Sequence, residues 1–307
     1  MFVVLGAGGA MGDELVKQLL AGKLPFRLVS RHAHAHQGAA EVMHLDLTDK
    51  DQAALAVKGA SVAFLLVGLE YNRKVWEVAW PRIMANVIEA CKRNGTRLVF
   101  FDNVYMYGRV KGPMTEVTRY EPCSRKGEIR AGIAEQLKTE WNSGNLTAMI
   151  ARSADFYGSY AVNGIPNALV FGPLSAGKSA MCLVDDSQPH SYTYTPDAAL
   201  ALVLLVESEA AWNQTWHLPT AANPPTGKQF IEQAAEALKV KPKYRVLSRP
   251  KIRMVGWFNP LVREVYEMLY QNDSPYVFDS SKFTGVFGHS ATPYEEGIRA
   301  TAATYRE

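Results

Sequence analysis

The sequence has 307 residues, of which 48% are hydrophobic and 10% aromatic, with 33 lysines and arginines against 30 aspartates and glutamates. This content of apolar side chains excludes a disordered chain, and a net charge of +3 is too small to indicate a nucleic-acid-binding surface. The 3 cysteines are widely separated, which favours a reducing compartment over a disulfide scaffold, so we expect a cytoplasmic protein. No apolar run is long enough to span a bilayer, and we see no basic leader of a secretory signal.

Short apolar, β-branched runs alternate with amphipathic segments over the first half of the sequence. Several runs are apolar throughout, as expected for strands buried on both faces of a parallel sheet. The predicted strands are residues 2–5, 26–30, 42–45, 62–67, 98–101 and 146–151. The predicted helices between them are residues 13–21, 50–57, 75–93 and 129–141. This alternation predicts an α/β fold with a doubly wound parallel sheet, the Rossmann arrangement.

A glycine-rich turn follows the first predicted strand, with the sequence Gly6-Ala7-Gly8-Gly9-Ala10-Met11-Gly12. In such a turn the first glycine makes a tight bend, and the next lets the backbone approach a pyrophosphate. The last glycine lets the helix pack on the strand, so that the N-terminal amides of the helix face the anion. The turn therefore predicts a dinucleotide site formed by Gly6, Gly9, Ala10, Met11 and Gly12.

The pattern becomes less regular after residue 152, where proline, glycine and aromatic residues are scattered among short predicted elements. We predict a dinucleotide-binding domain over residues 1–155, with residues 185–218 rejoining its sheet. Residues 156–184 and 219–307 are predicted to form a smaller C-terminal substrate-binding region.

The residues after the second strand bear on which nucleotide is bound. An NAD site usually has an acidic residue about twenty residues after the glycines, where it binds the ribose 2′-hydroxyl. No acidic residue occurs between Glu14 and Glu41, and the strand ends instead in Ser30 and Arg31. An arginine beside a hydroxyl suits the 2′-phosphate of NADP, which makes NADP the predicted cofactor and NAD the less favoured one. The alternative is that Arg31 is a solvated loop residue.

Three histidines alternate along the next segment, at His32, His34 and His36. Imidazoles spaced in this way can bind a metal ion, but no fourth ligand is apparent nearby in the sequence. We therefore predict no metal site here.

The spacing of Gly6, Gly9 and Gly12 resembles the short-chain dehydrogenase/reductase superfamily, particularly its extended and atypical branches. These include the NAD-dependent epimerases and dehydratases of nucleotide sugars, and the isoflavone-reductase-like and NmrA-like groups. Residues 44–49, 67–69, 102–108 and 152–158 are similar, in order along the chain, to the segments that follow the third to sixth strands of that superfamily. The resemblance implies further cofactor contacts at Asp46, Leu47, Val67, Gly68, Lys126 and Arg152.

Most members of the superfamily carry a Tyr-x-x-x-Lys pair, in which the tyrosine transfers a proton and the lysine lowers its pKa. When residues 124–135 are aligned with that helix, Gly127 and Ala131 take the places of the pair, and Asn103 replaces an upstream hydroxyl. The segment from Lys126 to residue 130 is similar instead to the Lys-x-x-Ile-Arg pattern of isoflavone-reductase-like enzymes. We therefore predict Lys126, Tyr105 and Asn103 as the groups that polarise the reacting oxygen. A solvated helix face is the alternative for Lys126.

Candidate substrate-binding residues follow from the same resemblance, which places several aromatic loops around the pocket. His190 occupies a place where nucleotide-sugar epimerases tend to carry an arginine for the substrate diphosphate, which favours a less charged substrate. The candidates are Tyr71, Tyr107, Phe156, Tyr157 and His190. Packing in the core is the alternative for the aromatic residues.

Seven basic residues and no acidic residue lie in the segment from Lys239 to Arg253. The alternation of the first four predicts the outward face of an edge strand, where lysines deter aggregation. An anion-binding patch is the alternative interpretation.

The leading functional hypothesis is an NADP(H)-dependent oxidoreductase acting on a small carbonyl or an activated double bond. One alternative is an NAD-dependent sugar-nucleotide epimerase or dehydratase, and another is an NADP-binding sensor without turnover, of the NmrA-like type. The expected partner is a small-molecule substrate, with no nucleic acid and no membrane. A homodimer is expected from the resemblance alone.

Overall fold

The computed structural model describes residues 1–32 and 38–306. The strands are β1 Phe2–Leu5, β2 Phe26–Ser30, β3 Glu41–His44, β4 Val62–Leu65, β5 Arg97–Asp102, β6 Ala148–Arg152, β7 Asp155–Tyr157, β8 Ala180–Leu183, β9 Tyr192–Tyr194, β10 Thr215–His217 and β11 Tyr244–Leu247. The helices are α1 Ala10–Ala21, α2 Lys50–Val57, α3 Arg73–Asn94, α4 Arg125–Asn142, α5 Gly172–Ser175, α6 Thr195–Glu207, α7 Gly227–Leu238, α8 Arg249–Gly256, α9 Pro260–Tyr266, α10 Ser281–Phe287 and α11 Tyr294–Ala303.

Seven strands form one sheet in the order β10-β6-β5-β4-β1-β2-β3. The strands from β6 to β3 in this order are joined by parallel pairing, with Phe2 opposite both Phe26 and Val62. The chain reverses its direction of strand addition between β1 and β4, which is where ligands bind in open α/β sheets. The predicted α/β fold with a doubly wound parallel sheet is confirmed.

Local sequence explains where the helices beside this sheet begin and end. The Asp49 side chain caps α2 by accepting hydrogen bonds from the backbone N–H groups of Asp51 and Gln52. Gly95 ends α3 with a φ of 63°, a left-handed conformation that costs glycine little. The strand β4 is buried along its whole length, in keeping with its entirely apolar sequence.

The chain divides into two compact units. The first comprises Met1–Met106, Lys126–Arg152 and Ala199–Trp216, and it holds β1 to β6. The second comprises Tyr107–Arg125, Ser153–Ala198 and His217–Glu307. The predicted domain boundaries stay a prediction.

The second unit has its own hydrophobic core and two small parallel sheets, β7 with β9 and β8 with β11. Its core includes Tyr157, Phe171, Phe230, Tyr294 and Ile298. Stacked and edge-on aromatic contacts hold these side chains together, with ring centroids 5.8 Å apart for Tyr157 and Phe230. Among the described residues of the chain, no helix combines the length and apolar character needed to span a membrane.

Gly132 offers a simple test of helix propensity in α4. It is exposed, and a Cβ added there meets no atom within 4 Å outside the helix. We expect Gly132→Ala to raise the free energy of unfolding by about 0.5–1 kcal/mol, because alanine loses less backbone entropy on folding. Urea unfolding followed by circular dichroism measures this change, and an unchanged or lower midpoint would contradict it.

Candidate active site

The glycine turn is built into the end of the sheet. Gly6 has a φ of +100°, and its backbone N–H donates to the Val29 carbonyl oxygen at 2.8 Å. A Cβ added to Gly6 would lie 2.7 Å from the Cα of Val67, which follows β4. A side chain at this position is therefore excluded both by the backbone conformation and by the backbone of Val67.

The rest of the turn leaves room on its outer side. A Cβ on Gly8 meets nothing within 4 Å, and one on Gly9 meets only the Gly6 carbonyl oxygen at 3.8 Å. A Cβ on Gly12 would lie 3.3 Å from that same oxygen, so Gly12 lets α1 pack closely on the turn. No side chain caps the N-terminus of α1, which begins at Ala10 and continues with the buried Met11. This combination suits a pyrophosphate, since the backbone amides of the turn can approach the anion closely.

The region predicted to bind the ribose of the nucleotide contains a positively charged residue, Arg31, and a negatively charged one, Asp46. Arg31 is exposed, and the Ser30 hydroxyl oxygen accepts a hydrogen bond from the His32 backbone N–H at 3.2 Å. Asp46 accepts hydrogen bonds from the Thr48 backbone N–H and hydroxyl at 2.9 Å and 2.8 Å. The pKa of the Asp46 carboxyl is lowered, chiefly by the hydrogen bond from the Thr48 backbone N–H and also by the charge of Arg31. An ionised carboxylate therefore offsets part of the positive charge of Arg31.

The remaining predicted cofactor contacts in this part of the first unit lie on two loops. Val67 contacts the glycine turn, and Gly68 is exposed with no atom within 4 Å of an added Cβ. Leu47 is buried, and its carbonyl oxygen accepts a hydrogen bond from Asn86 Nδ2 at 3.0 Å. Of the three histidines, His34 and His36 lie outside the described residues. Among the described residues, no group of three or more potential metal-binding side chains is found.

Lys126 lies in a cluster of aromatic side chains within the first unit. Its side chain is fully buried, and Nζ lies 4.6 Å from the centroid of the Tyr71 ring. The Tyr71 and Tyr105 hydroxyl oxygens are 3.5 Å apart, and the Tyr105 ring stacks on Trp76. The solvated-face alternative for Lys126 is therefore wrong. The structure brings together three of the predicted residues, a cation and two phenols.

Asn103 belongs to the same neighbourhood through the backbone of the turn after β5. Its side-chain oxygen accepts a hydrogen bond from the Tyr105 backbone N–H at 3.1 Å. Its own backbone N–H donates to Asp102 Oδ1 at 2.9 Å. Asn103 thus shapes the turn that carries Tyr105, while its contact with a substrate oxygen stays a prediction.

Asp102 is the centre of a buried ion network that sequence reasoning missed. Arg130 Nε donates to its Oδ1 at 2.7 Å, and Arg152 Nε donates to its Oδ2 at 3.3 Å. The guanidinium of Arg130 also lies 4.4 Å from the centroid of the Trp80 ring. Arg152 is fully buried and bound to Asp102, so its predicted cofactor contact stays a prediction. One signal was available, an acidic residue directly after the apolar run of residues 98–101 in β5.

The substrate-binding candidates of the second unit have partners within that unit. The Tyr107 hydroxyl and His217 Nε2 are 2.8 Å apart, and both residues are buried. Tyr157 is buried in the core, and burial raises the pKa of its phenol well above the usual value. Phe156, its neighbour in β7, is partly buried.

His190, which occupies the place of the arginine expected for a substrate diphosphate, is buried and has two side-chain partners. Its Nε2 lies 2.9 Å from Asp155 Oδ2, and its ring stacks on Tyr276 with centroids 4.2 Å apart. It is buried, with 5% of its surface exposed. Within the second unit, His190 therefore already has a carboxylate partner, and its contact with a substrate stays a prediction.

Comparison with known proteins places the chain in a family. Residues 2–217 match the family described as the NAD dependent epimerase/dehydratase family. The chain belongs to this family. The resemblance to the short-chain dehydrogenase/reductase superfamily is thereby confirmed, and so is the expectation of an enzyme of the oxidoreductase or epimerase/dehydratase kind. Among curated protein sequences, none matches this chain.

Several solved structures share the fold over the whole chain. UDP-glucose 4-epimerase from Thermus thermophilus, complexed with NAD, is 19% identical with a TM-score of 0.81, covering 100% of this chain and 99% of the other. A dTDP-glucose 4,6-dehydratase from Streptomyces venezuelae, also with NAD, is 17% identical with a TM-score of 0.81, covering 100% and 97%. UDP-glucose 4-epimerase from Thermotoga maritima, with UDP-glucose, is 16% identical with a TM-score of 0.81, covering 100% and 99%. At these identities the likeness concerns the fold.

Proposed function

We propose that this protein is an NAD-dependent enzyme that acts on a sugar nucleotide as an epimerase or dehydratase. The observation that carries the proposal is the cluster of Lys126, Tyr71 and Tyr105, because it supplies a cation and two phenols in the unit that holds the glycine turn. Membership of the NAD dependent epimerase/dehydratase family supports this function better than reduction of a small carbonyl by NADPH. The similar solved structures, which hold NAD or a sugar nucleotide, support it further.

The residues present fit a nicotinamide dinucleotide, which when bound accepts a hydride from a carbinol carbon and can return it. The open face of Gly8 and Gly9, with the uncapped start of α1, would hold its pyrophosphate. Tyr105 in its phenolate form would take the proton of the substrate hydroxyl as that carbon is oxidised, and the resulting phenol would return the proton in the reverse step. The buried Lys126 ammonium beside Tyr71 would stabilise the phenolate that the Tyr71–Tyr105 pair must carry before it takes the proton.

The choice of NAD over NADP is the first part of the proposal to be tested. Arg31 shares its surroundings with the ionised Asp46, which would repel a 2′-phosphate and so favours NAD. Ser30 and Arg31 keep NADP as the second candidate, because an arginine beside a hydroxyl can hold that phosphate. In a tryptophan-fluorescence titration we expect tighter binding of NADH than of NADPH. We also expect Arg31→Ala to leave NADH affinity within about twofold. If NADPH binds more tightly than NADH, and Arg31→Ala removes this difference, the cofactor is NADP.

Turnover tests the phenol and the ammonium. With UDP- and dTDP-sugars as substrates, we expect Tyr105→Phe and Lys126→Met each to lower kcat by about 100-fold. The first substitution removes the group that carries the proton, and the second removes the charge that stabilises the phenolate. NADH affinity should stay within about threefold in the Tyr105→Phe variant, since that hydroxyl is not needed for the pyrophosphate. Tyr266→Phe, which removes a hydroxyl from α9 in the second unit, is the matched control.

The alternative of an NADP-binding sensor keeps one observation in its favour. Gly127 and Ala131 stand where the superfamily's tyrosine and lysine are found, so the usual catalytic pair is missing. A sensor would bind the nucleotide without converting any substrate, so neither the parent nor Tyr105→Phe would form product. Product formation that depends on Tyr105 excludes a sensor.

A further inference from the structure

The helices α8 and α9 of the second unit form a tight hairpin. A Cβ added to Gly256, the last residue of α8, would lie 3.2 Å from the Cα of Arg263 in α9, so the two helices touch through their backbones. The connecting turn is ordered by hydrogen bonds, because the Asn259 side chain accepts from the backbone N–H groups of Leu261 and Val262 at 3.0 Å and 3.3 Å. The end of the hairpin is therefore a defined surface.

Large apolar side chains cover the end of this hairpin and face solvent. Phe258 is 86% exposed and Trp257 is 71% exposed. Three neighbours, Leu261 at 58%, Met254 at 53% and Val255 at 45%, extend the same patch. Five exposed apolar residues within eight consecutive positions are unusual for a surface that meets only water, and such patches mark interaction sites for another protein or a membrane. We call these five residues the apolar tip.

The apolar tip belongs to a strongly basic segment. Eight basic residues and no acidic residue occur from Lys239 to Arg263, and the first acidic residue after them is Glu264 in α9. Lys251, Arg253 and Arg263 are exposed on the two helices of the hairpin itself. The edge-strand interpretation accounts for only part of the run, since of its first four basic residues Arg245 alone lies in β11. The charges beside the tip need a different explanation.

The base of the hairpin is held firmly within the second unit. Ile252 is 3% exposed, which anchors α8 from beneath. Arg249, at the start of α8, pairs with Asp273, which Arg109 also binds through two hydrogen bonds at 2.8 Å and 2.9 Å. After α9, the Glu267 carboxylate accepts a hydrogen bond from the Arg125 backbone N–H at 2.9 Å. An apolar tip on a fixed base can enter another phase without unfolding.

We propose that this hairpin docks the protein on an anionic lipid surface, with the apolar tip entering the interface and the basic residues contacting lipid phosphates. Aromatic side chains, tryptophan above all, partition into the interfacial region, and lysines and arginines add attraction to anionic headgroups. A second copy of the chain fits less well, because two such tips would bring their basic residues together. A nucleic acid would use the charges but not Met254, Val255 and Leu261. Peripheral docking needs no membrane-spanning helix, so it revises the expectation of no membrane partner.

Vesicle flotation of the full chain tests the proposal. We expect binding to phosphatidylcholine vesicles containing phosphatidylserine to exceed binding to pure phosphatidylcholine vesicles by about tenfold, and to weaken as salt is raised. Trp257→Ser combined with Phe258→Ser should lower binding about tenfold, and so should Lys251→Glu combined with Arg253→Glu. Val117→Ser, at an 89% exposed position elsewhere in the second unit, is the matched control and should change nothing.

Fluorescence separates lipid contact from other causes. Trp257→Phe should keep vesicle binding but lose the blue shift that insertion of Trp257 produces. The proposal fails if the chain does not bind anionic vesicles at low salt, or if the tip variant binds as well as the parent. Loss of binding by charge reversal alone would indicate a polyanion site instead. Self-association without vesicles that the tip variant removes would indicate a second copy. Because these readouts do not involve NAD or a sugar nucleotide, they stand or fall separately from the proposed function.

Discussion

Replacing Gly6 with valine is expected to abolish cofactor binding and to lower the free energy of unfolding by about 3 kcal/mol or more. Two independent causes act at this position. Its φ of +100° is strained for a β-branched residue, and an added Cβ would lie 2.7 Å from the backbone of Val67. The turn would have to move away from β4, and the amides proposed to bind the pyrophosphate would move with it. Urea unfolding and titration with NADH measure the two effects.

Gly9→Ala separates binding from stability. At Gly9 the backbone is extended, with a φ of −99°, and the added methyl group would meet only the Gly6 carbonyl oxygen at 3.8 Å. We therefore expect the free energy of unfolding to change by less than about 0.5 kcal/mol, while NADH affinity falls by about tenfold or more because the methyl group takes the space of the approaching anion. Gly132→Ala is the control that adds a methyl group in the same unit away from the turn. Unchanged affinity in Gly9→Ala would show that the pyrophosphate is held elsewhere.

The nucleotide-binding half of the fold could be predicted because its rules are local. An apolar strand, a glycine turn and an amphipathic helix each leave a pattern within about ten residues, and parallel strands need helices between them. The predicted strand 26–30 matches β2 in its bounds, and the predicted helix 75–93 falls within α3. The short strands β7 and β10, of three residues each, were not predicted.

The chemistry of the site was harder to read, because it depends on partners far apart in the chain. Lys126 and Tyr71 meet only after α4 and the loop after β4 are placed by the fold. The sequence alone could not show whether the Lys126 side chain is buried or lies on a solvated face of the helix. The pairing of Asp102 with Arg130 and Arg152 spans 28 and 50 residues, so no short motif contains it. The exposed tip at Trp257 and Phe258 was missed for the opposite reason, since apolar residues in a sequence are expected to be buried.

Asp102→Asn is expected to lower the free energy of unfolding by about 3–5 kcal/mol. Asp102 is 1% exposed, and the arginines that it binds are 3% and 0% exposed. The substitution keeps the size of the side chain but removes the negative charge that the two arginines of this network share. Two guanidinium groups would then stay buried without that counter-charge, which costs far more than the loss of one hydrogen bond.

Urea unfolding of Asp102→Asn should be compared with that of Glu89→Gln. Glu89 binds Arg93 at 2.7 Å in an exposed pair on α3, so its loss should cost less than about 1 kcal/mol. A second comparison adds Arg130→Met to the Asp102→Asn variant. Removing one of the two cations that Asp102 binds should recover part of the lost stability, and this positive coupling identifies charge burial as the cause. If the two substitutions are simply additive, the loss arises from packing instead.

The same network links stability to the proposed chemistry. The Asp102 side chain accepts a hydrogen bond from the backbone N–H of Asn103. The Asn103 side chain in turn accepts one from the backbone N–H of Tyr105. Asparagine at residue 102 would replace one acceptor oxygen by an NH2 donor. Either this donor would face a group that now donates to Asp102, or the side chain would rotate, so the turn that carries Tyr105 would shift. We therefore expect Asp102→Asn to lower kcat more than it weakens NADH binding, measured at a temperature where the variant is still folded. Equal losses in both would place the effect in the fold of the whole unit and not at Tyr105.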